Sequence, residues 1–156
     1  MKGKLSHYDA KGQAAMVNIS AKTATQRTAS AHAFVRIKPS VLAGLPQNPK
    51  GDPLAVAKIA GIMAAKRCAE LIPLCHSLPL GFAGVDFFPD DATCTILVRA
   101  TCRTDPNTGF EMESMTPCTI AAFTISHLWS AADNGLILEQ YRIPHTPPGK
   151  SGNWAL

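Results

Sequence analysis

The sequence predicts an α+β domain with the ferredoxin-like (split βαβ) architecture, in which two helices lie on one face of an antiparallel sheet. Apolar and polar residues alternate along 28–37 and 92–103, as they do in half-buried strands. Asp52-Pro53 and Thr116-Pro117 each place a capping side chain before a proline, which is the form of a helix start. From residue 28 onward the predicted order is strand, helix, strand, strand, helix, strand, and this is the split βαβ order.

The first half of the chain contains one clear strand and one clear helix. A short strand is a candidate at 14–19, and the strand at 28–37 follows it. The segment 38–51 is rich in proline and glycine and predicts a loop with one helical turn. The helix that starts at Asp52-Pro53 continues through small and apolar residues to 71–72, where Pro73 ends it.

The second half predicts a hairpin, a second helix and a last strand. The hairpin joins 83–88 to 92–103 across a Pro-Asp-Asp turn. The helix that opens at Thr116-Pro117 extends to about residue 133 and is closed by Asn-Gly. The last strand is expected at 136–143, and the remaining residues, 144–156, form a mobile loop rich in proline and glycine.

Composition excludes several classes of protein. At 156 residues, with 46% hydrophobic and 17% charged residues, the chain is expected to form a single globular domain over 1–156, neither disordered nor coiled-coil. The net charge of +4 is spread along the chain and favours an anionic ligand only weakly. Aromatic residues make up 6%, too few for the stacking platform of an RNA-binding sheet, so no nucleic-acid partner is expected.

Five cysteines and the N-terminal residues indicate a cytoplasmic protein. The cysteine count is odd and no pair has C-x-x-C spacing, so we expect reduced thiols and no metal site. The N-terminus lacks the apolar region of a signal peptide, and no uncharged apolar run reaches the roughly 18 residues of a membrane span. No membrane partner is expected.

Two segments with candidate functional side chains flank the predicted hairpin. In LIPLCHSLP, Cys75 and His76 lie between Pro73 and Pro79, which fix the backbone that carries them. A packed connector with a buried thiol is the simpler interpretation, and a functional site is the alternative. Glu111 and Glu113 alternate in a segment predicted to be extended, so their carboxylates are expected to point the same way. The carboxylates either interact favourably with the N-terminal end of the following helix dipole, or act on a ligand by hydrogen bonding or proton transfer.

Two further segments are weaker candidates. Phe123, His127 and Ser130 share one helical face, and His127 is a possible general base, although a histidine satisfied at an interface is the commoner case. Ser130 lacks a nucleophile-elbow context, which argues against a hydrolase. The tail 148–152 (PGKSG) is similar to the end of a phosphate-binding P-loop, but no strand–loop–helix surrounds it. A flexible basic flap over an anion remains open.

Taken together, these segments resemble a known family. The blocks GDPLAVAKIAGIMAAKRCAELIPLCHSLPL, TGFEMESMTPCTIAAFTI and PGKSG, with MVNIS near residue 16, are similar to the molybdenum cofactor biosynthesis protein C family, the cyclic pyranopterin monophosphate synthases. The resemblance implies a ferredoxin-like protomer in a dimer-based homohexamer, with active sites at the dimer interface. It also implies a lyase that converts 3′,8-cyclised dihydro-GTP, a small nucleotide substrate, to cyclic pyranopterin monophosphate and releases pyrophosphate. No metal or organic cofactor is implied.

The resemblance also assigns residues to the substrate site. It implies that Leu74, Cys75 and His76 line the pocket with Met112 and Glu113. The lysines that correspond to the family's triphosphate-side and substrate-side lysines are Lys50 and Lys66, and Lys150 lies on the C-terminal loop. A cluster of cations suits a substrate whose leaving group is pyrophosphate.

The sequence departs from the family pattern at the catalytic pair. His127 stands at the position of the family's catalytic Asp, and Ser130 at that of its catalytic Lys. Asn18 and Thr146 replace an aspartate and a lysine of the pattern, and Trp129 replaces a much smaller cysteine. Because general acid–base catalysis typically contributes about 10²–10⁴-fold, these changes are expected to weaken the parent chemistry unless other groups take over.

Three hypotheses therefore stay open at the level of sequence. The chain is a working synthase that uses His127, or a catalytically degenerate paralogue that binds a related nucleotide or an intact synthase. The third is an enzyme redirected to a related nucleotide.

Overall fold

The computed structural model describes residues 6–45, 51–105, 108–149 and 152–155. A four-stranded antiparallel sheet in the order β2-β3-β1-β4 confirms the predicted ferredoxin-like α+β architecture. Its strands are β1 (Arg27–Arg36), β2 (Phe82–Asp90), β3 (Thr95–Thr104) and β4 (Ile137–Arg142). The helices are α1 (Pro39–Ala43), α2 (Pro53–Lys66), α3 (Cys68–Leu71) and α4 (Met112–Trp129). A separate two-stranded sheet pairs β5 (His145–Gly149) with β6 (Gly152–Ala155).

The core lies between the sheet and the two long helices, α2 and α4. The alternation of β1 and β3 is confirmed, because Ala31, Ala33, Val35, Ile96 and Val98 are completely buried and their sequence neighbours are less so. The two strands pair in register over their whole length, with Val35 opposite Ile96. The same core cluster includes Ala57 from α2 and Ala121, Ala122 and Ile125 from α4.

Small residues let α2 and α4 approach closely. Asp52 caps α2 as predicted, since its carboxylate accepts the backbone N–H groups of Leu54 at 2.9 Å and Ala55 at 3.3 Å. In the middle of α2, a Cβ on Gly61 would lie 2.8 Å from Val85 Cγ2 and 2.9 Å from the carbonyl oxygen of Pro117. This helix pair therefore requires glycine at residue 61.

Two predicted elements of the first half differ from the structure. The candidate strand at 14–19 is wrong, since the segment forms only an isolated bridge between Tyr8 and Ala14 and has no long partner strand. The helix predicted to reach residue 72 is interrupted at Arg67, whose φ of −113° and ψ of 15° separate α2 from α3. This break turns Cys68 and the following LIPLCH segment toward the start of α4.

Helix α4 begins earlier than the sequence predicts. The helix begins at Met112, four residues before Thr116, and Pro117 lies inside it. A proline at this point removes the N–H that would bond to the carbonyl of Glu113. The Cys102 thiol donates to that carbonyl at 2.9 Å instead, so the helix continues through the proline.

The hairpin and the C-terminal residues also differ in detail. The β2–β3 turn is formed by 91–94, where Cys94 has a φ of 51°, so β3 begins three residues later than predicted. Residues 144–156 were predicted as a mobile loop, and their described part forms the β5–β6 hairpin. Their mobility stays a prediction. No helix among the described residues is long and apolar enough to cross a membrane.

Candidate functional site

A cavity of about 780 Å³ lies beside the N-terminal end of α4. Three segments that are distant in sequence form its wall: the N-terminal segment around Val17, the turn after α3, and the start of α4. The turn contributes Leu74, Cys75 and His76, and α4 contributes Met112 and Glu113. The candidate site therefore includes the LIPLCH and EMES segments, which the sequence singled out.

The turn after α3 is held in an unusual backbone conformation. Ile72 ends α3 in an extended conformation, and the amide of Cys75 donates to the carbonyl of Ile72 at 3.3 Å. Between them, Leu74 has a φ of 62°, a region that residues other than glycine rarely adopt. Positive φ values at non-glycine residues cluster at functional sites. This turn brings the Cys75 side chain to the first turn of α4.

Glu113 is a buried carboxyl group at the cavity wall. Its residue is 3% exposed, and its Oε1 accepts the Cys75 thiol at 3.5 Å. Its Oε2 has no hydrogen-bond partner among the described residues. Burial raises the pKa of the Glu113 carboxyl above its ordinary value, and the charge of Glu111 adds to this effect. Glu113 is therefore suited to hold or release a proton closer to neutral pH than an exposed glutamate.

The expectation that Glu111 and Glu113 lie in an extended segment is wrong, although both residues line the cavity. Both residues have helical backbone, because α4 begins at Met112 and Glu111 precedes it with a φ of −60° and a ψ of −34°. Side chains of residues i and i+2 point about 200° apart around a helix axis, whereas on a strand they point to the same face. As a result Glu113 is buried and Glu111 is only half-buried.

Cys75 is a protonated thiol at neutral pH. Burial is the main cause that raises the pKa of Cys75 to about 12, followed by the negative charge of Glu113. Because the thiolate is the nucleophilic form of cysteine, this environment argues against covalent catalysis by Cys75. The side chain is positioned instead as a hydrogen-bond donor to Glu113.

His76 connects the turn to the N-terminal segment. Its Nε2 lies 2.8 Å from the carbonyl oxygen of Val17. A carbonyl oxygen only accepts, so this bond requires the proton on Nε2. The contact fixes the imidazole and closes one side of the cavity with a segment that has little regular structure of its own.

Positive charge at the cavity comes from residues that the sequence analysis missed. Lys22 and Arg27 line the wall together with His7. Lys22 and Arg27 lie in or next to a polar segment that has no hydrophobic periodicity. The MVNIS block is the part of that segment in which the sequence indicates a functional role. Grouped cations at a concave surface favour an anionic ligand.

Comparison with known proteins agrees with this geometry. The profile described as MoaC family matches residues 16–149. The chain belongs to the MoaC family. A cyclic pyranopterin monophosphate synthase of Bordetella petrii is 53% identical over 153 residues, covering 96% of this chain and 94% of the relative. Synthases of the same name from Bordetella parapertussis and Geobacter sulfurreducens are 50% and 47% identical, with the same coverage.

The structure of this MoaC family member brings together five of the residues predicted for the site. Leu74, Cys75, His76, Met112 and Glu113 all line the cavity. The other predicted binding residues are not part of its described wall. Lys66 is exposed at the end of α2, and Lys50 and Lys150 fall outside the described residues.

The predicted catalytic pair of this family member lies at the opposite end of α4. His127 is 14 residues beyond Glu113, which corresponds to about 21 Å along a helix. His127 and Ser130 are exposed, and the Ser130 hydroxyl donates to the carbonyl of His127 at 3.1 Å. Trp129 between them is 4% exposed and packs in the core. Within one protomer, the pair and the cavity are separate.

Proposed function

We infer that this chain acts in molybdenum cofactor biosynthesis as a cyclic pyranopterin monophosphate synthase. It converts 3′,8-cyclised dihydro-GTP to cyclic pyranopterin monophosphate and releases pyrophosphate, a lyase reaction. The observation that carries this proposal is the convergence of the MVNIS, LIPLCH and EMES segments on one cavity. These three segments also carry the resemblance to the synthases, and relatives of that name match nearly the whole chain.

The cavity wall contains cationic side chains that suit a triphosphate substrate, together with the carboxyl groups of Glu111 and Glu113. Lys22, Arg27 and His7 lie in the wall, and we propose that they bind the phosphate end of the nucleotide. Cations held in place before the reaction stabilise the charge that develops on a pyrophosphate leaving group. Lys50, Lys66 and Lys150 remain proposed contributors, as the resemblance implies.

Glu113 is the proposed proton-transfer group at the other end of the cavity. Its pKa is raised by burial, which moves it toward the pH at which general acid–base catalysis is efficient. The Cys75 thiol donates to Oε1 and orients the carboxyl group, while Oε2 has no protein partner among the described residues. We propose that the Glu113 carboxyl group exchanges a proton with the substrate atoms that gain or lose one.

A second copy of the chain is the proposed source of His127 and Ser130. The resemblance implies active sites at a dimer interface. His127 lies about 21 Å from Glu113 along α4, and Ser130 lies just beyond the end of that helix. Ile59 on α2 and Phe123 on α4 are 60% and 54% exposed, which is typical of apolar surfaces that a partner covers. The dimer-based hexamer and the cytoplasmic location belong to the same proposal.

Product analysis of the purified chain tests the proposed function. With 3′,8-cyclised dihydro-GTP as substrate, we expect equal amounts of cyclic pyranopterin monophosphate and pyrophosphate. Glu113→Gln is expected to lower kcat by about 10²–10⁴-fold, because it removes the proposed proton-transfer group. Glu139→Gln is the matched control, since Glu139 pairs with Arg36 on the sheet and lies outside the cavity wall. Equal activity of the two variants would contradict the role of Glu113.

The paired variant His127→Asp with Ser130→Lys tests the alternative of a degenerate paralogue. If the wild-type chain binds the nucleotide without turnover and the paired variant gains turnover, the chain is a binding protein that has lost its catalytic pair. If the wild-type chain is active, His127→Ala identifies whether the histidine has replaced the acidic residue of the family pattern.

A further inference from the structure

Two thiols and a buried carboxyl group lie close together, and two of these three side chains, Cys75 and Glu113, also line the cavity. The Sγ atoms of Cys68 and Cys75 lie 3.8 Å apart, and Cys75 Sγ lies 3.5 Å from Glu113 Oε1. Among the described residues, one ligand atom from each of these three side chains lies within 4.8 Å of the other two. We propose that Cys68, Cys75 and Glu113 form a binding site for one borderline divalent ion, for which Zn²⁺ is the best fit.

The distances agree with the edges of a tetrahedron around zinc. With Zn–S bonds of about 2.3 Å, two sulfurs at tetrahedral angles are about 3.8 Å apart. With a Zn–O bond of about 2.0 Å, the sulfur-to-oxygen edge is about 3.5 Å. The separations of 3.8 Å and 3.5 Å in the structure match these two edges, and the third pair, Cys68 Sγ and a Glu113 carboxylate oxygen, lies within 4.8 Å.

Burial and unsatisfied polar atoms support the same site. Cys68 and Glu113 are each 3% exposed, and Glu113 Oε2 has no hydrogen-bond partner among the described residues. A buried carboxylate is costly, and a cation bound to it lowers that cost. The hydroxyl of Thr116, 3.4 Å from Cys68 Sγ, is placed to act as an outer partner of a bound thiolate.

The donor set and the open side specify the class of ion. Two sulfur ligands with one oxygen ligand suit Zn²⁺ and disfavour Mg²⁺ or Ca²⁺, which prefer oxygen alone. Binding would require both thiols to lose their protons to solvent. Cys75 and Glu113 also line the cavity, so the fourth coordination position would face the space in which the substrate is proposed to lie.

Sequence spacing does not reveal this site. The two cysteines are separated by six residues rather than by two, and the sequence analysis expected no metal for that reason. They meet because the chain breaks at Arg67 and turns again at Leu74, whose φ is positive. The proposal therefore departs from the expectation of no metal site, which stays an untested prediction.

A bound ion would compete with the proposed reaction. This consequence rests on the proposed function, because an ion held by Cys75 and Glu113 would prevent the carboxyl group from exchanging a proton with substrate. We therefore expect Zn²⁺ to inhibit the synthase reversibly, and a chelator to restore activity.

Titration of the reduced, full-length chain with Co²⁺ tests the site directly. Tetrahedral Co²⁺ bound to thiolates gives intense visible bands and a sulfur-to-cobalt charge-transfer band, and both should saturate at one ion per chain and disappear on addition of Zn²⁺. Cys68→Ser should weaken Co²⁺ binding by more than the roughly 10–100-fold that loss of an outer partner costs. Cys94→Ser is the matched control, because Cys94 lies in the β2–β3 turn outside the cluster and should leave binding unchanged.

Two results would overturn the proposal. One is a wild-type chain that shows no thiolate–cobalt bands, and the other is a Cys68→Ser variant, folded by circular dichroism, that binds Co²⁺ as the wild type does. Glu113→Gln provides a second variant at a different ligand and should also weaken binding. The spectra do not depend on turnover, so failure of the metal site and failure of the proposed function are distinguishable.

Discussion

The thiol of Cys102 lies 2.9 Å from the carbonyl oxygen of Glu113 and replaces the amide donor that Pro117 lacks. This contact joins the central strand β3 to the first turn of α4. It also fixes the backbone of the residue that carries the buried carboxyl group of the cavity. The position of Glu113 is therefore set by the sheet as well as by its own helix.

A double-mutant cycle measures this replacement of one donor by another. Cys102→Ala leaves the carbonyl of Glu113 without a partner when residue 117 is proline, and an unsatisfied buried acceptor costs about 1–3 kcal/mol. In a Pro117→Ala background, the alanine amide can bond to that carbonyl, so the cost of Cys102→Ala should be smaller by about 1 kcal/mol. Urea unfolding of the four proteins gives the coupling energy. Strict additivity would contradict this account of the contact.

The burial of Glu113 should make stability depend on pH in a defined direction. Its pKa in the folded chain is raised above the ordinary value of 4.5. Between those two values the folded chain keeps a proton that the unfolded chain has released, so the free energy of unfolding falls as pH rises. Glu113→Gln lacks this titration. Thermal unfolding should show its melting temperature increase relative to wild type as pH rises from 4.5 through the folded-state pKa of Glu113.

Asp133 provides a control of opposite sign for that experiment. The backbone N–H of Lys38 donates to the Asp133 carboxylate at 2.8 Å. This hydrogen bond is the main cause that holds the pKa of Asp133 below 3.8. Its contribution to stability is present above pH 3.8 and is lost as pH falls through the folded-state pKa. Asp133→Asn should therefore lose melting temperature relative to wild type as pH rises toward 3.8, below the range in which Glu113→Gln gains it, and should change little above that range. Parallel curves for the two variants would contradict both assignments.

Gly61→Ala tests how closely α2 approaches its neighbours. The new methyl group would lie 2.8 Å from Val85 Cγ2 and 2.9 Å from the carbonyl oxygen of Pro117. Overpacking of this kind costs about 1–3 kcal/mol, which outweighs the roughly 1 kcal/mol that alanine gains in helix propensity. Denaturant unfolding should show a net loss of stability. In the control variant Gly81→Ala, the nearest atom is 3.6 Å away, so a change within about 0.5 kcal/mol is expected.

Ile59→Glu tests whether a second copy covers the outer face of α2. Ile59 is 60% exposed in the single chain, so a charge there should leave the folded protomer intact. If a partner covers this face, burying the charge disfavours association, and light scattering after size exclusion should show a smaller assembly. Lys58→Gln on the same helix is the charge-matched control, because each substitution lowers the net charge by one. An unchanged mass for Ile59→Glu would exclude this face from the interface.

The sheet was predictable because its signals are local. The alternation that includes Ala31, Ala33 and Val35 specifies one buried face of a strand, and the structure confirms it. The Asp52 cap also acts within two or three residues of its own position. By contrast, the start of α4 depends on Cys102, ten residues before Met112, which compensates for Pro117. A prediction from capping residues and prolines alone therefore gives a start for α4 that is too late in the sequence.

The site was only partly predictable because it depends on contacts between distant segments. Cys75, His76 and Glu113 were found through their motifs, and the structure brings them to one cavity. Lys22 and Arg27 were missed, because the N-terminal segment is held by a tertiary contact from His76 to Val17 rather than by a periodic pattern of its own. Cys68 and Cys75 likewise come together through two backbone turns, which cannot be predicted from the spacing of the two cysteines.

The rate of pyrophosphate release from 3′,8-cyclised dihydro-GTP is the most direct test of the central claim. The purified chain would be measured beside the synthase of Bordetella petrii, its 53% identical relative. We predict turnover within about tenfold of that relative, a difference of no more than about 1.4 kcal/mol in activation free energy. Binding of the nucleotide without release of pyrophosphate would contradict the assignment of this chain as a synthase.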